Sequence, residues 1–187
     1  MKINFVTTSI NRKKILKKMF PESKFIAPDY NEKNSNKSFF PSLIARKNSY
    51  RKLLSVKKKW KKDTVMISMD TIIYRNFTIF NKTENFNEAL VNLMLLSGKK
   101  HKAVTAVSIL YKNKIITFTV KSLIKMRKYN KKEIMKYLKL KEHQNRAGSY
   151  AIQKNGKEFL IEYYKHDYFN IVGIPLYKLK NYITLLT

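Results

Sequence analysis

Apolar residues recur along this chain in two spacings, one typical of strands and the other typical of helices. Short runs rich in β-branched and aromatic residues predict strands at residues 5–6, 24–26, 65–74, 104–111, 114–120 and 159–163. Spacings of three and four predict helices that follow Ser9, span 42–56 and 84–96, run from Asn130 to about Leu140, and start at Pro175. Helical crossovers combined with a hairpin at 112–113 predict an α/β fold with a mixed sheet.

Several residues indicate where these helices begin and end. Ser9 can cap the first helix, which Pro21 then stops. Gly98 suits the C-terminal cap of helix 84–96, and Asn130 with Glu133 resembles a capping box. On helix 42–56 the pattern predicts that these apolar side chains point inward: Leu43, Ile44, Tyr50, Leu53 and Leu54.

The length of 187 residues predicts a single domain, 1–187, large enough for two lobes around a cleft. The chain has no cysteine, which excludes disulfides, thiolate zinc sites and cysteine nucleophiles and fits a reducing compartment. It has no run of 18 uncharged apolar residues and no apolar stretch of signal-peptide length at its start. We therefore expect a cytoplasmic protein that makes no membrane contact.

The formal net charge of +28 has two explanations. A nucleic-acid-binding module would be strongly basic. Here, however, lysine far outnumbers arginine and is spread along the whole chain, together with abundant Asn, Ile and Tyr. A/T-rich codons produce such a composition without selection for a polyanion. We therefore expect the charge to be mainly background that helps to attract an anionic substrate, and nucleic acid is the less favoured partner.

Asp70 is one of four aspartates, and it lies within the apolar run 65–73. A carboxylate in such a strand loses water and needs a cation, a metal ion or several hydrogen bonds. Acids in this situation are candidates for functional sites. An acid that accepts hydrogen bonds from backbone amides at the end of a buried strand would fit the residue equally well, so Asp70 alone leaves both interpretations open.

The turn at 7–12 offers the chemistry of a phosphate site. It places the hydroxyl of Ser9 and the guanidinium of Arg12 at a helix start, where backbone amides are free. Glu32, in a polar loop predicted at 28–37, adds a carboxylate. Taken alone, the turn is better explained by an ordinary helix cap with an exposed arginine, and Glu32 could be a solvated surface residue.

Two further residues could complete a nucleotide site. Lys82 follows a predicted turn at 75–76 that could bring it back beside Asp70, and Gln153 follows the helix breaker Gly148 and can read a base edge through its amide. From spacing alone, an unrelated surface lysine and a solvated amide are the simpler interpretations. The histidines show no metal-ligand spacing and are expected to be structural or surface groups: His101, His143 and His166.

Six short motifs, taken in order, resemble those of the Maf family of nucleoside triphosphate pyrophosphatases over nearly the whole chain. In this sequence they are Val6-Thr-Thr-Ser9-Ile-Asn-Arg12, Ser68-Met-Asp70-Thr71, Lys82-Thr83, Leu96-Ser-Gly98-Lys-Lys-His101-Lys-Ala-Val-Thr105, Asn145-Arg-Ala-Gly148-Ser-Tyr150-Ala-Ile-Gln153 and Ile171-Val-Gly173-Ile-Pro175-Leu176. Each motif alone is a weak signal, but six in the right order form a strong one, and Glu32 matches the family's loop acid.

The resemblance implies a two-lobed, Maf/ITPase-like α/β fold in which helices flank an elongated mixed sheet around a central nucleotide cleft, usually in a homodimer. It implies hydrolysis of a nucleoside triphosphate to monophosphate and pyrophosphate, assisted by Mg²⁺ or Mn²⁺. Thr71 and Gln153 resemble the family branch that acts on dTTP and UTP, not the branch that acts on 7-methylguanosine triphosphate. The implied role is the removal of unwanted pyrimidine triphosphates from the nucleotide pool.

The same resemblance assigns roles to individual residues. Asp70 would activate the attacking water, bind the metal, or do both, and Glu32 would be the other metal ligand. The residues implied in substrate binding are Ser9, Asn11, Arg12, Thr71, Lys82 and Gln153.

Two positions depart from the family's pattern. Asn11 stands where the dTTP/UTP branch has the first arginine of its turn, and Asn48 aligns with the family's helix lysine. The neighbouring Lys47 points about 100° away around a helix and is not expected to replace it. The sequence therefore predicts fewer cationic side chains around the site. The second hypothesis is a nucleotide-binding protein with weakened turnover, and the third is a nucleic-acid-binding module.

Overall fold

A computed structural model describes residues 2–32 and 38–186 of this chain. Its strands are β1 (Lys2–Val6), β2 (Lys24–Ile26), β3 (Thr64–Arg75), β4 (Thr78–Phe80), β5 (Lys82–Thr83), β6 (Lys100–Tyr111), β7 (Lys114–Met126), β8 (Arg146–Ala147) and β9 (Ile161–Lys165). Its helices are α1 (Ile10–Met19), α2 (Pro41–Ser55), α3 (Phe86–Leu96), α4 (Lys131–Lys139), α5 (Gly156–Leu160), α6 (Tyr168–Val172) and α7 (Leu176–Thr184), with a turn of 3₁₀ helix at Lys57–Lys59.

The main sheet is mixed and has the strand order β2-β1-β3-β6-β7-β9. Strands β2, β1 and β3 run parallel to one another, whereas β6, β7 and β9 continue the sheet by antiparallel pairing. The hairpin between β6 and β7 turns at Lys112 and Asn113, which both have the positive φ angles of a tight hairpin turn. A second, two-stranded sheet pairs β5 with β8. The predicted α/β class with a mixed sheet is confirmed.

Strand β3 is longer than its parallel neighbour β1, so part of one edge of β3 is left without a partner strand. Its pairing with β1 ends at Ser68, and its pairing with β4 on the same side starts at Ile73. Within the described residues, no strand covers that edge of β3 between these two positions. The backbone groups of this gap must therefore find other hydrogen-bond partners.

The two faces of β3 pack against different helices because successive side chains of a strand alternate. On one face, Ile67 packs with α1 and α7, and Ile73 packs with α3 and α4. On the opposite face, Met66 and Ile72 contact residues of α2. Two apolar clusters thus share one face of the sheet and are separated by the residues between them, which produces two lobes with a cleft.

Most predicted elements are found, with two corrections. Phe159 and Leu160 end helix α5, so the last strand starts at Ile161 and not at 159. The inward face of α2 was also predicted wrongly, because three of its large apolar residues are exposed: Leu43, Tyr50 and Leu54. The buried side of this helix carries mostly small and polar residues: Pro41, Ala45, Asn48, Ser49, Lys52 and Leu53.

The predicted caps are present. Ser9 caps α1, and Asn130 and Glu133 form the expected capping box of α4. Of the loop predicted at 28–37, residues 33–37 lie outside the described part of the chain. Among the described residues, no helix has both the length and the apolar character that spanning a membrane requires.

Candidate active site

A cleft of about 750 Å³ lies over the gap in the sheet. Its floor is formed by Met69, Thr71 and Ile73, which share one face of β3. Met69 belongs to the apolar cluster with α1 and α7, and Ile73 belongs to the one with α3 and α4. One wall comes from the turn 7–12 before and within α1, and the other comes from residues 141–154. Its volume falls within the range of small-molecule sites.

The turn at the start of α1 is held by side-chain hydrogen bonds. The Ser9 hydroxyl accepts from the backbone N–H of Arg12, and the Thr7 hydroxyl accepts from the backbone N–H of Ser9 at 3.1 Å. Ser9 and Asn11, to which the family resemblance assigns substrate binding, both line the cleft. The first turn of a helix carries unpaired N–H groups and partial positive charge, which together favour an anion.

Arg12 joins this turn to two other elements. Its guanidinium donates to the carbonyls of Met69 and Gly173, each at 3.0 Å, and to the hydroxyl of Thr71 at 2.7 Å. Burial lowers the pKa of Arg12, whereas attraction to Asp70 and Glu32 raises it. The arginine therefore lines the cleft in a fixed orientation and satisfies part of the exposed edge of β3.

Gly173 gives Arg12 the room that it needs. This glycine has a φ of 97°, which side chains rarely adopt, and a Cβ there would lie 2.9 Å from both Arg12 Nη2 and Thr71 Oγ1. The Thr71 hydroxyl also lies 3.0 Å from that of Thr105 on β6. Thr71 thus lines the cleft, and its hydroxyl also orients Arg12.

Asp70 points to the opposite face of β3, toward α2, because it lies between two floor residues of the cleft. It is 2% exposed and is not among the residues that line the cleft. Its Oδ1 accepts from Lys52 Nζ at 2.8 Å, and its Oδ2 accepts from Asn48 Nδ2 at 3.1 Å. The buried carboxylate therefore has both a cation and an amide as partners, as its position in the apolar run requires.

Lys52 links Asp70 to the cleft. Its ammonium forms ion pairs with both Glu32 and Asp70 and lies 3.4 Å from the Met69 carbonyl. Lys82, on β5, pairs with the other oxygen of Glu32 at 3.2 Å. Burial of Glu32 would raise the pKa of its carboxyl, but Lys52 and Lys82 outweigh this effect and lower that pKa to about 2. Two lysines and two carboxylates thus alternate from Lys82 at the cleft to Asp70 behind it.

Glu32 should make a stability contribution that depends on pH. Its pKa in the folded protein lies below the ordinary value of 4.5, so the contribution is full above that value and is lost as the pH falls toward 2. We expect Glu32→Gln to unfold at lower urea concentration than wild type at pH 7, with the difference shrinking below about pH 4.5. The exposed Glu22→Gln is the control, and a difference that does not change between pH 7 and pH 3 would contradict this assignment.

Asn48 adds no charge beside Asp70, but the carboxylate still has a cation as its partner. The cation comes from Lys52, which lies four residues later on the same face of α2. Asn48 instead bridges Asp70 to the hydroxyl of Tyr30, which donates to Asn48 Oδ1 at 3.1 Å. Its amide holds the acid in place without adding charge.

We expect Asn48→Leu to destabilise the fold by about 1–3 kcal/mol, because it leaves a buried carboxylate oxygen without its donor. Urea unfolding followed by circular dichroism measures this change. Lys47→Leu, an exposed position on the same helix, is the matched control and should change stability by less than about 0.5 kcal/mol. Equal effects of the two substitutions would show that the Asn48 contact contributes nothing.

Gln153, to which the family resemblance assigns substrate binding, lies on the far wall of the cleft. Its Nε2 is shielded from water and has no hydrogen-bond partner among the described residues. Tyr150, in the same segment, lines the cleft and meets His101 Nε2 at 2.8 Å. Burial and the nearby Arg75 lower the pKa of His101 to about 3, so the histidine is neutral and structural, as expected.

The structure therefore brings most of the predicted residues around one cleft: Ser9, Asn11, Arg12, Glu32, Thr71, Lys82 and Gln153. Asp70 lies directly behind it, and Lys52 is the functional residue that the sequence did not reveal. Lys82 returns to the site as predicted, but its partner is Glu32 and not Asp70. Across residues 2–32 and 38–186, no three acidic or histidine side chains converge closely enough to hold a metal ion.

Comparison with known proteins identifies the family of this chain. Residues 2–186 match the Maf-like protein family (Maf), and the chain belongs to that family. A dTTP/UTP pyrophosphatase of Thermosipho africanus (strain TCF52B) is 35% identical over 178 residues, covering 95% of this chain and 90% of that protein. A dTTP/UTP pyrophosphatase of Thermosipho melanesiensis (strain DSM 12029 / CIP 104789 / BI429) is 36% identical over 176 residues, covering 94% and 93%. These matches confirm the resemblance to the Maf family.

Among solved structures, the Staphylococcus aureus Ham1 protein covers 67% of this chain and 72% of its own, with 14% identity and a TM-score of 0.43. A superposition this loose supports no argument about the site.

Proposed function

We propose that this protein hydrolyses dTTP, UTP and related pyrimidine nucleoside triphosphates to the monophosphate and pyrophosphate. The observation that carries the proposal is the contact of Lys52 with both Glu32 and Asp70 at the edge of a nucleotide-sized cleft. The opposite wall of that cleft is a helix start with a fixed arginine. The relatives named dTTP/UTP pyrophosphatase support the choice of substrate.

The triphosphate would lie between the α1 turn and the lysines. The first-turn amides of α1 and the remaining N–H groups of Arg12 offer donors on one side. Lys82 and Lys52 offer ammonium groups on the other side, both of which line the cleft. Because these groups are held by the fold before substrate arrives, they can stabilise the negative charge that develops on the phosphates during the reaction.

The chemical step is in-line attack of water on the α-phosphorus. A bond forms from the water oxygen to phosphorus, the bond to the bridging oxygen breaks, and pyrophosphate leaves with that oxygen. In the structure without substrate, Lys52 covers Asp70 Oδ1. A bound triphosphate competes for the same ammonium, and a shift of Lys52 toward the phosphates would expose this oxygen to accept the water proton. Asp70 then acts as the general base.

A divalent metal fits this site in part. Mg²⁺ is usually bound by one or two carboxylates together with substrate phosphates. Glu32 lines the cleft and would be the first protein ligand, whereas both oxygens of Asp70 are engaged by Lys52 and Asn48. Asp70 can therefore become a second ligand only after Lys52 has moved. A bound Mg²⁺ or Mn²⁺ would neutralise charge on the phosphates.

Two further properties stay predictions. A homodimer is implied by the resemblance to the Maf family, and a cytoplasmic location is a prediction with which the cysteine-free composition is compatible. Sedimentation analysis of the purified protein tests the first, and fractionation of cells tests the second.

A nucleotide panel tests the proposed function. We expect purified protein with Mg²⁺ or Mn²⁺ to release pyrophosphate from dTTP and UTP faster than from CTP, GTP, ATP or 7-methylguanosine triphosphate. Chelation of the metal should abolish the release. The assay measures pyrophosphate and nucleoside monophosphate together, because release of inorganic phosphate would indicate a different bond.

Asn11 supports a second candidate, a nucleotide-binding protein with little turnover. This residue lines the cleft with a neutral amide at the position where the dTTP/UTP branch has an arginine. The panel separates the two candidates: tight calorimetric binding of a non-hydrolysable uridine triphosphate without pyrophosphate release from any triphosphate would favour the second and overturn the first.

A further inference from the structure

Strand β7 has a long edge that no other strand of the described chain covers. β7 spans Lys114–Met126, but β9 pairs only with its residues 123–126. Within residues 2–32 and 38–186, no strand therefore pairs with residues 114–122 on the side away from β6. We call this stretch the open edge of β7. Such an edge presents a row of free N–H and C=O groups that can pair with another strand.

The turn between β6 and β7 determines which residues face outward at the open edge. Both turn residues have positive φ, and in such a two-residue hairpin the flanking residues, here Tyr111 and Lys114, exchange backbone hydrogen bonds. Bonded and non-bonded pairs alternate along an antiparallel ladder. The even-numbered residues of β7 therefore bond to β6, and the odd-numbered residues direct their N–H and C=O groups outward: Ile115, Thr117, Thr119 and Lys121.

The middle of the open edge carries none of the features that usually protect an exposed strand. Residues 115–120 are Ile-Ile-Thr-Phe-Thr-Val, without charge, proline or glycine, in a chain with 40 Lys+Arg. Uncharged windows of β-branched and aromatic residues are those that pair readily with other strands. Charge occurs only at the two ends, on the exposed Lys114 and Lys121. A partner strand must therefore avoid placing a cation opposite these lysines.

A second copy of the same edge meets this condition. We propose that the open edge of β7 is the surface on which a second copy of this chain docks, by antiparallel pairing about a twofold axis at Phe118. Thr117 of each copy then lies opposite Thr119 of the other, and their outward N–H and C=O groups bond to one another. The two main sheets become one continuous sheet. Because both copies use the same surface, association through this edge stops at two.

This pairing keeps the end lysines apart. Lys114 lies opposite Ser122 of the other copy, and Lys121 lies opposite Ile115. A pairing of Lys114 with Lys121 would set an even-numbered residue against an odd-numbered one. The outward-facing groups of the two strands could not bond in that register, because only the odd-numbered residues face the partner. The registers that the backbone allows are therefore free of the like-charge contact that would destabilise the junction.

The open edge also has the length that this symmetry requires. It runs from the turn at 112–113 to Leu123, where β9 begins to cover β7, and its midpoint is Phe118. Each copy therefore fills the uncovered stretch of the other. Moving the axis to Thr119 would set Ile115 against Leu123, which β9 already covers.

The pairing covers exposed apolar surface as well. Ile116 is 39% exposed and lies opposite Val120 of the other copy. Both residues are β-branched, and such pairs across neighbouring strands stabilise a sheet. The contact therefore adds side-chain packing to the backbone hydrogen bonds.

Thr119 offers a matched pair of substitutions. Its N–H faces the open edge, so Thr119→Pro removes a donor from the junction and none from the ladder between β6 and β7. Thr119→Val keeps the N–H and the branched shape. Sedimentation equilibrium is expected to show dimers for wild type and Thr119→Val. The dimer of Thr119→Pro should be weaker by roughly 10–100-fold, because each copy loses one hydrogen bond.

The absence of cysteine from the chain allows a second test, which leaves the backbone donors in place. With the axis at Phe118, Ile116 and Val120 form a non-hydrogen-bonded pair across the junction, with Cα atoms about 4.5 Å apart. This distance suits a disulfide. The double variant Ile116→Cys/Val120→Cys should form a covalent dimer on oxidation, seen on a non-reducing gel. Each single variant should stay uncrosslinked, because its two cysteines lie four positions apart along the ladder.

Wild type that sediments as a monomer would overturn the inference. A dimer that Thr119→Pro leaves intact would overturn it too, because the copies would then meet on another surface, and so would assembly beyond two copies that Thr119→Pro abolishes. If urea unfolding shows that Thr119→Pro does not fold, the double cysteine variant decides. No covalent dimer, or equal cross-linking of the single and double variants, would exclude pairing about Phe118.

Discussion

Lys52→Met is expected to lower kcat/KM for UTP by about 10³-fold. Methionine keeps most of the length and the apolar stem of lysine but removes the ammonium. Glu32 and Asp70 would then face each other without the cation that pairs with both of them. The phosphates would also lose one of the cations that line the cleft. Steady-state assays of pyrophosphate release measure the change.

The same substitution should weaken the fold. Removing one partner of a buried ion pair typically costs about 3–5 kcal/mol, and Lys52 is buried with Asp70. Urea unfolding measures this loss of stability. Activity is assayed under conditions well below the unfolding midpoint, so that a loss of activity does not reflect unfolding. Lys47→Met, an exposed position on the same helix, is the control for both measurements. Wild-type turnover in Lys52→Met would exclude a role for the ammonium.

Asp70→Asn is expected to reduce kcat by about 10²–10⁴-fold while nucleotide binding changes little. The amide has nearly the same shape as the carboxylate and can still accept from Lys52. It cannot take a proton from water, however, and this is the step that we assign to Asp70. Single-turnover pyrophosphate release reports the chemical step, and calorimetry with the α,β-imido uridine triphosphate reports binding.

The exposed Asp63→Asn serves as the control for this substitution and should behave as wild type. A drop in nucleotide affinity equal to the drop in turnover would assign Asp70 to binding and not to proton transfer. Unchanged turnover would remove Asp70 from the mechanism altogether.

Local signals explain why so much of the fold was predictable. The caps at Ser9 and Asn130 and the turn at 112–113 depend on neighbouring residues, and all three are present. The face on which Asp70 lies was not predictable. The run 65–73 is apolar at nearly every position because both faces of β3 are buried, so no alternation indicates which side chains meet the cleft.

Lys52 was missed for a related reason. The apolar residues of α2 suggested a buried side, but Leu43 and Leu54 are exposed, and the helix packs through small residues such as Ala45. The available signal was the spacing of four between Asn48 and Lys52, which places both on one helical face. In a chain with 40 Lys+Arg, one more lysine at that spacing does not stand out.

The contacts of Glu32 with Lys82 and of Arg12 with Gly173 could not be read from spacing at all. Their partners are 50 and 161 residues apart. The order of motifs that resemble the Maf family predicted which residues share the cleft, but the atoms that they contact depend on packing between distant elements.

The bond between Arg12 and the Gly173 carbonyl also has a consequence for how the protein is made. It joins residues 161 positions apart, so Arg12 is fully restrained only after nearly the whole chain has been synthesised. Closing so long a loop is among the slower contacts to form during folding. Catalytic activity should therefore emerge late in translation and late in refolding, after helical circular dichroism has recovered. Turnover would then report completed folding, and a nascent chain that stops before α6 would remain inert toward the cellular nucleotide pool.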